Sequence, residues 1–225
     1  MPQALTPARE RQLQALAAQH GTPLWVYDAA VIRERAASLK GFDTVRFAQK
    51  ACSNIHILKL LREAGVKVDS VSRGEILRAL AAGYTPGGDD IVFTADVMDE
   101  ATLATVVEHQ VPVNAGSIDM LHQLAAVSRG HHVWLRINPG FGHGHSQKTN
   151  TGGEQSKHGI WHEQLDDCLR LADRHGVTVT GLSTWITSAT TVSGKDVSVR
   201  SATAASTVRS AASRCMRSSS ARWWQ

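Results

Sequence analysis

Between Val45 and Val133, short apolar, β-prone runs restart every 20 to 25 residues. The runs are Val45–Ala48, Val66–Val71, Ile91–Thr94, Val111–Asn114 and Val133–Ile137, with Leu24–Tyr27 before them and Val177–Leu182 after. Segments with helical spacing lie between most of them. Ile55, Leu58, Leu60 and Leu61 make one stripe, and Ile76, Leu77 and Leu80 a second. Leu103, Val106 and Val107, then Leu121, Leu124 and Val127, then Leu165, Leu169 and Leu171 follow. Apolar strands alternating with amphipathic helices predict βαβ units and a parallel sheet. The repeat length suits a (β/α)8 barrel, whose sites gather on the loops after the strands. An open doubly wound sheet is the alternative. The stripes themselves are core faces.

The chain has 225 residues, enough for one large domain or two small ones. Its longest apolar runs fall well short of a membrane span. The N-terminus lacks the basic segment and apolar core of a secretory signal. Leu5 to Gln19 reads as an alanine-rich helix started by Thr6-Pro7 and broken at Gly21-Thr22-Pro23. Cys52, Cys168 and Cys215 form no CxxC pair, which fits a reducing cytoplasm. The net charge of +4 comes from the end of the chain: residues 183 to 225 carry +5 and residues 1 to 182 carry −1. A near-neutral body argues against a nucleic-acid partner.

Lys50 stands at the end of a β-prone stretch in Arg46-Phe47-Ala48-Gln49-Lys50-Ala51-Cys52-Ser53-Asn54. An amine held and partly desolvated at a strand end is a useful nucleophile toward an aldehyde cofactor. Spacing alone does not separate this from a surface lysine. Asp69 and Ser72 end the second barrel strand and are expected to face the same pocket. Arg136 ends the fifth, as a paired inward arginine or an exposed strand-end one. Glu75 reads as a carboxylate favoured at a helix start. The long loop from Asn138 to Gly159 follows a strand end and belongs on the catalytic face. His143 and His145 are weak metal-ligand geometry, so no metal is expected. His131 and His132 read as surface residues before a strand.

The run FAQKACSNIHILKLLREAGVKVDSVSRGE at 47 to 75 closely resembles diaminopimelate decarboxylases. So do FTADV at 93 to 97, VNAGSIDML at 113 to 121 and LRINPGFGHGHSQKTNTGGEQSKHGIW at 135 to 161. The resemblance covers about residues 20 to 182. It implies a pyridoxal-phosphate enzyme of the alanine racemase-like barrel class, making L-lysine and carbon dioxide from meso-2,6-diaminopimelate. It also implies a Schiff-base lysine at Lys50, cofactor contacts from Asp69, Ser72 and Arg136, and a place near the site for Lys157 and His158 in Ser156-Lys157-His158-Gly159. The implied partners are a small amino-acid substrate and a second subunit in a homodimer, with no nucleic acid and no membrane. Another barrel decarboxylase, acting on ornithine or arginine, and a non-catalytic cofactor-holding fragment are the alternatives.

After Leu182 the text changes. The family motif HMHIGSG is expected there, and the chain reads Gly181-Leu182-Ser183-Thr184-Trp185-Ile186-Thr187-Ser188. Residues 183 to 225 hold 11 serines and 6 threonines, no leucine and one isoleucine. Such a segment buries too little apolar surface to offset chain entropy. The expected division is therefore a barrel part, residues 1–182, and a low-order tail, residues 183–225, read out of frame. By resemblance the chain would then lack the last barrel strands, a glycine-rich phosphate cradle, the acidic partner of the pyridine nitrogen and a C-terminal β-domain, and would be inactive alone.

Overall fold

A computed structural model describes residues 5–138, 140 and 156–184. Two helices come first, α1 (Pro7–His20) and α2 (Ala29–Ala37). Strand β1 (Arg46–Ala48) then leads through a 3-10 turn, Gln49–Ala51, into α3 (Ile55–Glu63). The alternation continues through β2 (Lys67–Ser70), α4 (Arg73–Ala81), β3 (Ile91–Phe93), α5 (Glu100–Glu108), β4 (Val113–Ala115) and α6 (Ile118–Val127). It closes with β5 (His132–Asn138), the two-residue β6 (Ile160–Trp161), α7 (Leu165–His175) and β7 (Thr178–Thr184).

The turns from strand to helix are chemically alike. Four of the five end in a side chain that accepts from the helix's first free N–H groups: Asn54 from His56 and Ile57, Ser72 from Glu75, Asp99 from Thr102 and Ser117 from Met120, whereas Gln164 before α7 makes no such bond. A cap of this kind contributes about 1 kcal/mol. At the far end of α7, Gly176 takes a left-handed φ of 69°, the conformation that closes a helix most cheaply with glycine.

Every strand pair is parallel, in the order β1-β2-β3-β4-β5, with β7 along β5 on the side away from β4. Strand β6 pairs with Ile137 and Asn138, just beyond the point where β4 stops. The sheet is strongly curved. The Arg46 guanidinium, on β1, lies 5.1 Å from the ring centroid of Trp134, on β5. In a flat sheet four strand spacings of about 4.8 Å would separate those strands by about 19 Å. Likewise Ser183 on β7 reaches across β5 to Asn114 on β4, 2.7 Å between oxygens. Such curvature belongs to a barrel wall and excludes the open doubly wound sheet. The fold is a partial (β/α)8-type barrel.

The core lies between the convex face of this wall and the helices. Leu58, Val68, Ile76, Phe93, Leu121, Leu124 and Leu135 are fully buried there. Burying such a side chain stabilises by about 1.5–3 kcal/mol. The helical stripes hold except at their margins, where Leu77 and Val127 are exposed. Tyr84 is buried too, and its hydroxyl lies 2.9 Å from the Val66 carbonyl and 3.2 Å from that of Leu58.

Two expectations are corrected. Leu24–Tyr27 is not a strand: it is irregular chain with Trp25 88% exposed, it pairs with no strand among the described residues, and Asp28 at once caps α2. His131 is not on the surface: it is 1% exposed. It shares the parity of Val133, Leu135 and Ile137, the side of β5 that faces the helices. Its Nε2 donates to the Val111 carbonyl at 2.9 Å, and Nδ1 accepts from the Ser128 hydroxyl at 3.3 Å. Among the described residues no helix is long and apolar enough to cross a membrane.

Burial holds His131 below the ordinary histidine pKa. The unfolded chain therefore takes up the proton first, and the stability contributed by neutral His131 is complete above about pH 6.5 and lost as pH falls below it. Melting temperatures at about pH 7.5 and pH 5 check this: the native chain should lose more on acidification than His131→Gln.

Candidate functional site

In a parallel barrel all strands deliver their carboxyl ends to one mouth. Alternation sends one residue in two to the concave face. Three of the expected site residues reach that mouth from strands or the turns that follow them, and a fourth from the end of the long loop.

Lys50 sits in the 3-10 turn at the end of β1, exposed. Asp69 is the register partner of Ala48, two residues before it. The Lys50 charge acts on the Asp69 carboxyl, which also accepts from Thr94. Burial nevertheless dominates and raises the Asp69 pKa above the usual carboxylate value. Asp69 Oδ1 is buried with no hydrogen-bond partner. A buried acceptor left in that state costs about 1–3 kcal/mol, and marks where a donor from a ligand would be received.

Asp69 also terminates a one-way chain of donors. The Ser183 hydroxyl donates to Asn114 Oδ1 at 2.7 Å, Asn114 Nδ2 donates to Thr94 Oγ1 at 3.4 Å, and the Thr94 hydroxyl is left to donate to Asp69. The chain runs from β7 through β4 and the end of β3 to β2. Sequence reading singled out neither Thr94 nor Asn114. Their signal was a small polar residue at the end of an otherwise apolar run. Ser183, at the composition break, is still part of β7, which ends at Thr184.

Arg136 lies on β5 and His158 just before β6. Sequence reading missed the residue that joins them, Asp96 after β3. Arg136 Nη1 is 3.3 Å from Asp96 Oδ1, so the paired form of the arginine expectation is the one found. His158 Nδ1 is 2.9 Å from Asp96 Oδ2, close but off the line of a hydrogen bond. Gly116, after β4, leaves this junction open: a side chain there would meet Asp96 Oδ1 at 3.7 Å and Arg136 Cδ at 4.0 Å.

Ser72 is placed differently. It follows β2 at the same end of the barrel, but it is exposed, and its hydroxyl caps α4. Glu75 keeps its structural reading: Oε2 accepts from the Val71 N–H at 2.7 Å and fixes the β2–α4 turn. Lys157 is exposed. His143 and His145 lie outside the described residues. Among the described residues no group of three or more histidine, cysteine or acidic side chains is placed to hold a metal. Cys52 and Cys168 are free, and burial pushes the Cys168 thiol up to about 11, away from reactivity.

The family described as pyridoxal-dependent decarboxylase, pyridoxal binding domain, matches residues 29–213. Diaminopimelate decarboxylase of Escherichia coli K12 is 64% identical over 188 residues, which cover 81% of this chain and 45% of that protein. A crystal structure of a diaminopimelate decarboxylase superposes with a TM-score of 0.79 at 62% identity, over 83% of this chain and 46% of that one. A diaminopimelate decarboxylase variant from Helicobacter pylori, complexed with L-lysine, gives a TM-score of 0.69 at 25% identity, over 77% and 46%. The chain thus spans less than half the length of these relatives.

Substitutions should rank by burial. Thr94→Val removes the middle of the donor chain and leaves Asn114 and Asp69 short of partners, a loss of about 1–3 kcal/mol in urea unfolding. Asp96→Ala, whose carboxylate is 37% exposed, should cost less than about 1 kcal/mol. Equal losses would contradict the assignment.

Proposed function

We propose, from the premise that this chain belongs to the pyridoxal-dependent decarboxylase family, that its residues form the amino-terminal part of a site for decarboxylating meso-2,6-diaminopimelate to L-lysine. The observation that carries the reading is the buried, unpartnered Asp69 oxygen at the carboxyl end of β2, with Lys50 in the turn after β1 near enough for its charge to act on that carboxyl. High identity to diaminopimelate decarboxylases favours this substrate over ornithine or arginine.

The residues fit pyridoxal phosphate. Lys50 is the amine that would hold its aldehyde carbon, and Arg136 and His158 are set at the same mouth by Asp96. When bound, this cofactor supplies an electron sink for the pair left behind as carbon dioxide departs. The protein's part is orientation and charge. Asp69 is held in the wall by burial and by Thr94, where its carboxyl feels the Lys50 charge. Asp96 neutralises Arg136 and fixes its guanidinium. In this reading Ser72 contributes through the position of the α4 N-terminus, where free N–H groups favour an anion.

Among the described residues β1 and β7 each have a single strand neighbour. Enclosure strengthens every electrostatic interaction in such a site. By the sequence reading the full site draws on further strands, and these 225 residues alone have little or no decarboxylase activity. Residues 183–225 are read out of frame, with Ser183 and Thr184 still completing β7, and the nucleotide sequence near codon 183 tests that: no family-like motif in the alternate frame ends the idea. The complete enzyme is a cytoplasmic homodimer acting on a small amino acid.

Borohydride reduction with pyridoxal phosphate, followed by peptide mass mapping, should place a pyridoxyl group on Lys50 and lose it in Lys50→Ala. No adduct at Lys50 defeats the cofactor assignment. Lysine formed from meso-diaminopimelate well above background by the native chain defeats the claim of inactivity.

A further inference from the structure

We infer that Gln49 is the positioning residue that sets the turn carrying Lys50. The inference rests on the reading of Lys50 as the cofactor amine and adds what aims it. Gln49 is 1% exposed, although it stands beside an exposed lysine. Its Nε2 donates to Ser70 Oγ at 2.7 Å, and Ser70 is 0% exposed.

The place of this bond is what gives it a role. The backbone ladder between β1 and β2 ends at the pair Ala48 and Asp69. Gln49 and Ser70 would be the next pair. Meanwhile the Ser70 carbonyl accepts from the Thr94 N–H at 2.8 Å, so β2 continues its pairing with β3 while β1 leaves the sheet. Ala48, at the start of the 3-10 turn, offers no side-chain cap. The Gln49 amide is therefore the tether at the point of departure, and the next residue along the turn is Lys50.

Stability does not account for an amide here. Gln49 Oε1 is buried with no hydrogen-bond partner. Replacing both members of a buried polar pair by apolar groups of similar shape is close to neutral or stabilising. A glutamine that loses on that comparison, one residue from the reactive amine, is held for geometry. Small misplacements of a reacting group are expensive in rate.

The test combines Gln49→Met with Ser70→Ala in one chain, so that no half-pair is left buried. Amide hydrogen exchange at residues 49–52 should quicken while β2 to β5 stay protected, and the melting temperature should hold or rise. Borohydride trapping of pyridoxal phosphate on Lys50, measured against exposed Lys59 on α3, should fall about tenfold. Unchanged exchange at 49–52, or a native trapping ratio, overturns the inference. So does a lowered melting temperature with exchange rising across β1 to β5, which would make Gln49 structural. If the native chain traps nothing on Lys50, the cofactor reading falls by itself. Exchange then decides alone: a local rise upholds the tether and no rise ends it.

Discussion

Parallel pairing gives every strand of a sheet the same direction, and the side-chain period of two gives each strand one face toward the helices and one toward the interior. The rest of this molecule depends on those two facts acting together on a curved wall. Direction collects Lys50, Asp69, Thr94, Asn114 and Arg136 at a single end. Parity keeps Val68, Phe93, Leu135 and their neighbours under the helices. A one-residue slip of β2 would carry Asp69 into the leucine-rich layer and expose Val68 to the interior. Electrostatics at the mouth is thus a product of register before it is a product of composition.

Curvature does the remaining organisation. Because the wall bends, groups two and four strands apart meet: Ser183 with Asn114, and Arg46 with Trp134. Arg46 also bonds the Val68 carbonyl and pairs with Asp89, which Lys67 meets as well. The amino end of the wall is therefore closed by paired charge and an aromatic ring. The carboxyl end keeps an acid with one buried oxygen unpartnered.

Much of this was legible in the sequence. The recurrence of apolar runs located all six main strands within two residues and α1 nearly to its ends, and strand-end position picked out Lys50, Asp69 and Arg136. What escaped has physical causes. Leu24–Tyr27 has strand-forming residues but pairs with no strand among the described residues, and propensity carries no information about neighbours. Two-residue β6 is too short for a period. His131 was misread because adjacent histidines look alike in a string, while parity buries one and exposes the other. Asp96, Thr94 and Gln49 matter through partners 20 to 62 residues away in the chain, and a single sequence does not display such pairs. Only the short runs FTADV and FAQK, which contain them, drew notice.

The short strand β6 has one more consequence. Ile160 and Trp161 lie beside Ile137 and Asn138, Gly159 packs against the β5 backbone, and Gly140 sits against Trp161 and His162. Both ends of the segment between are thereby fastened to the wall. Chain inserted between fastened ends adds only a logarithmic entropy cost, about 0.6 kcal/mol per doubling. The barrel beneath thus tolerates a change in that segment's length at small cost in stability.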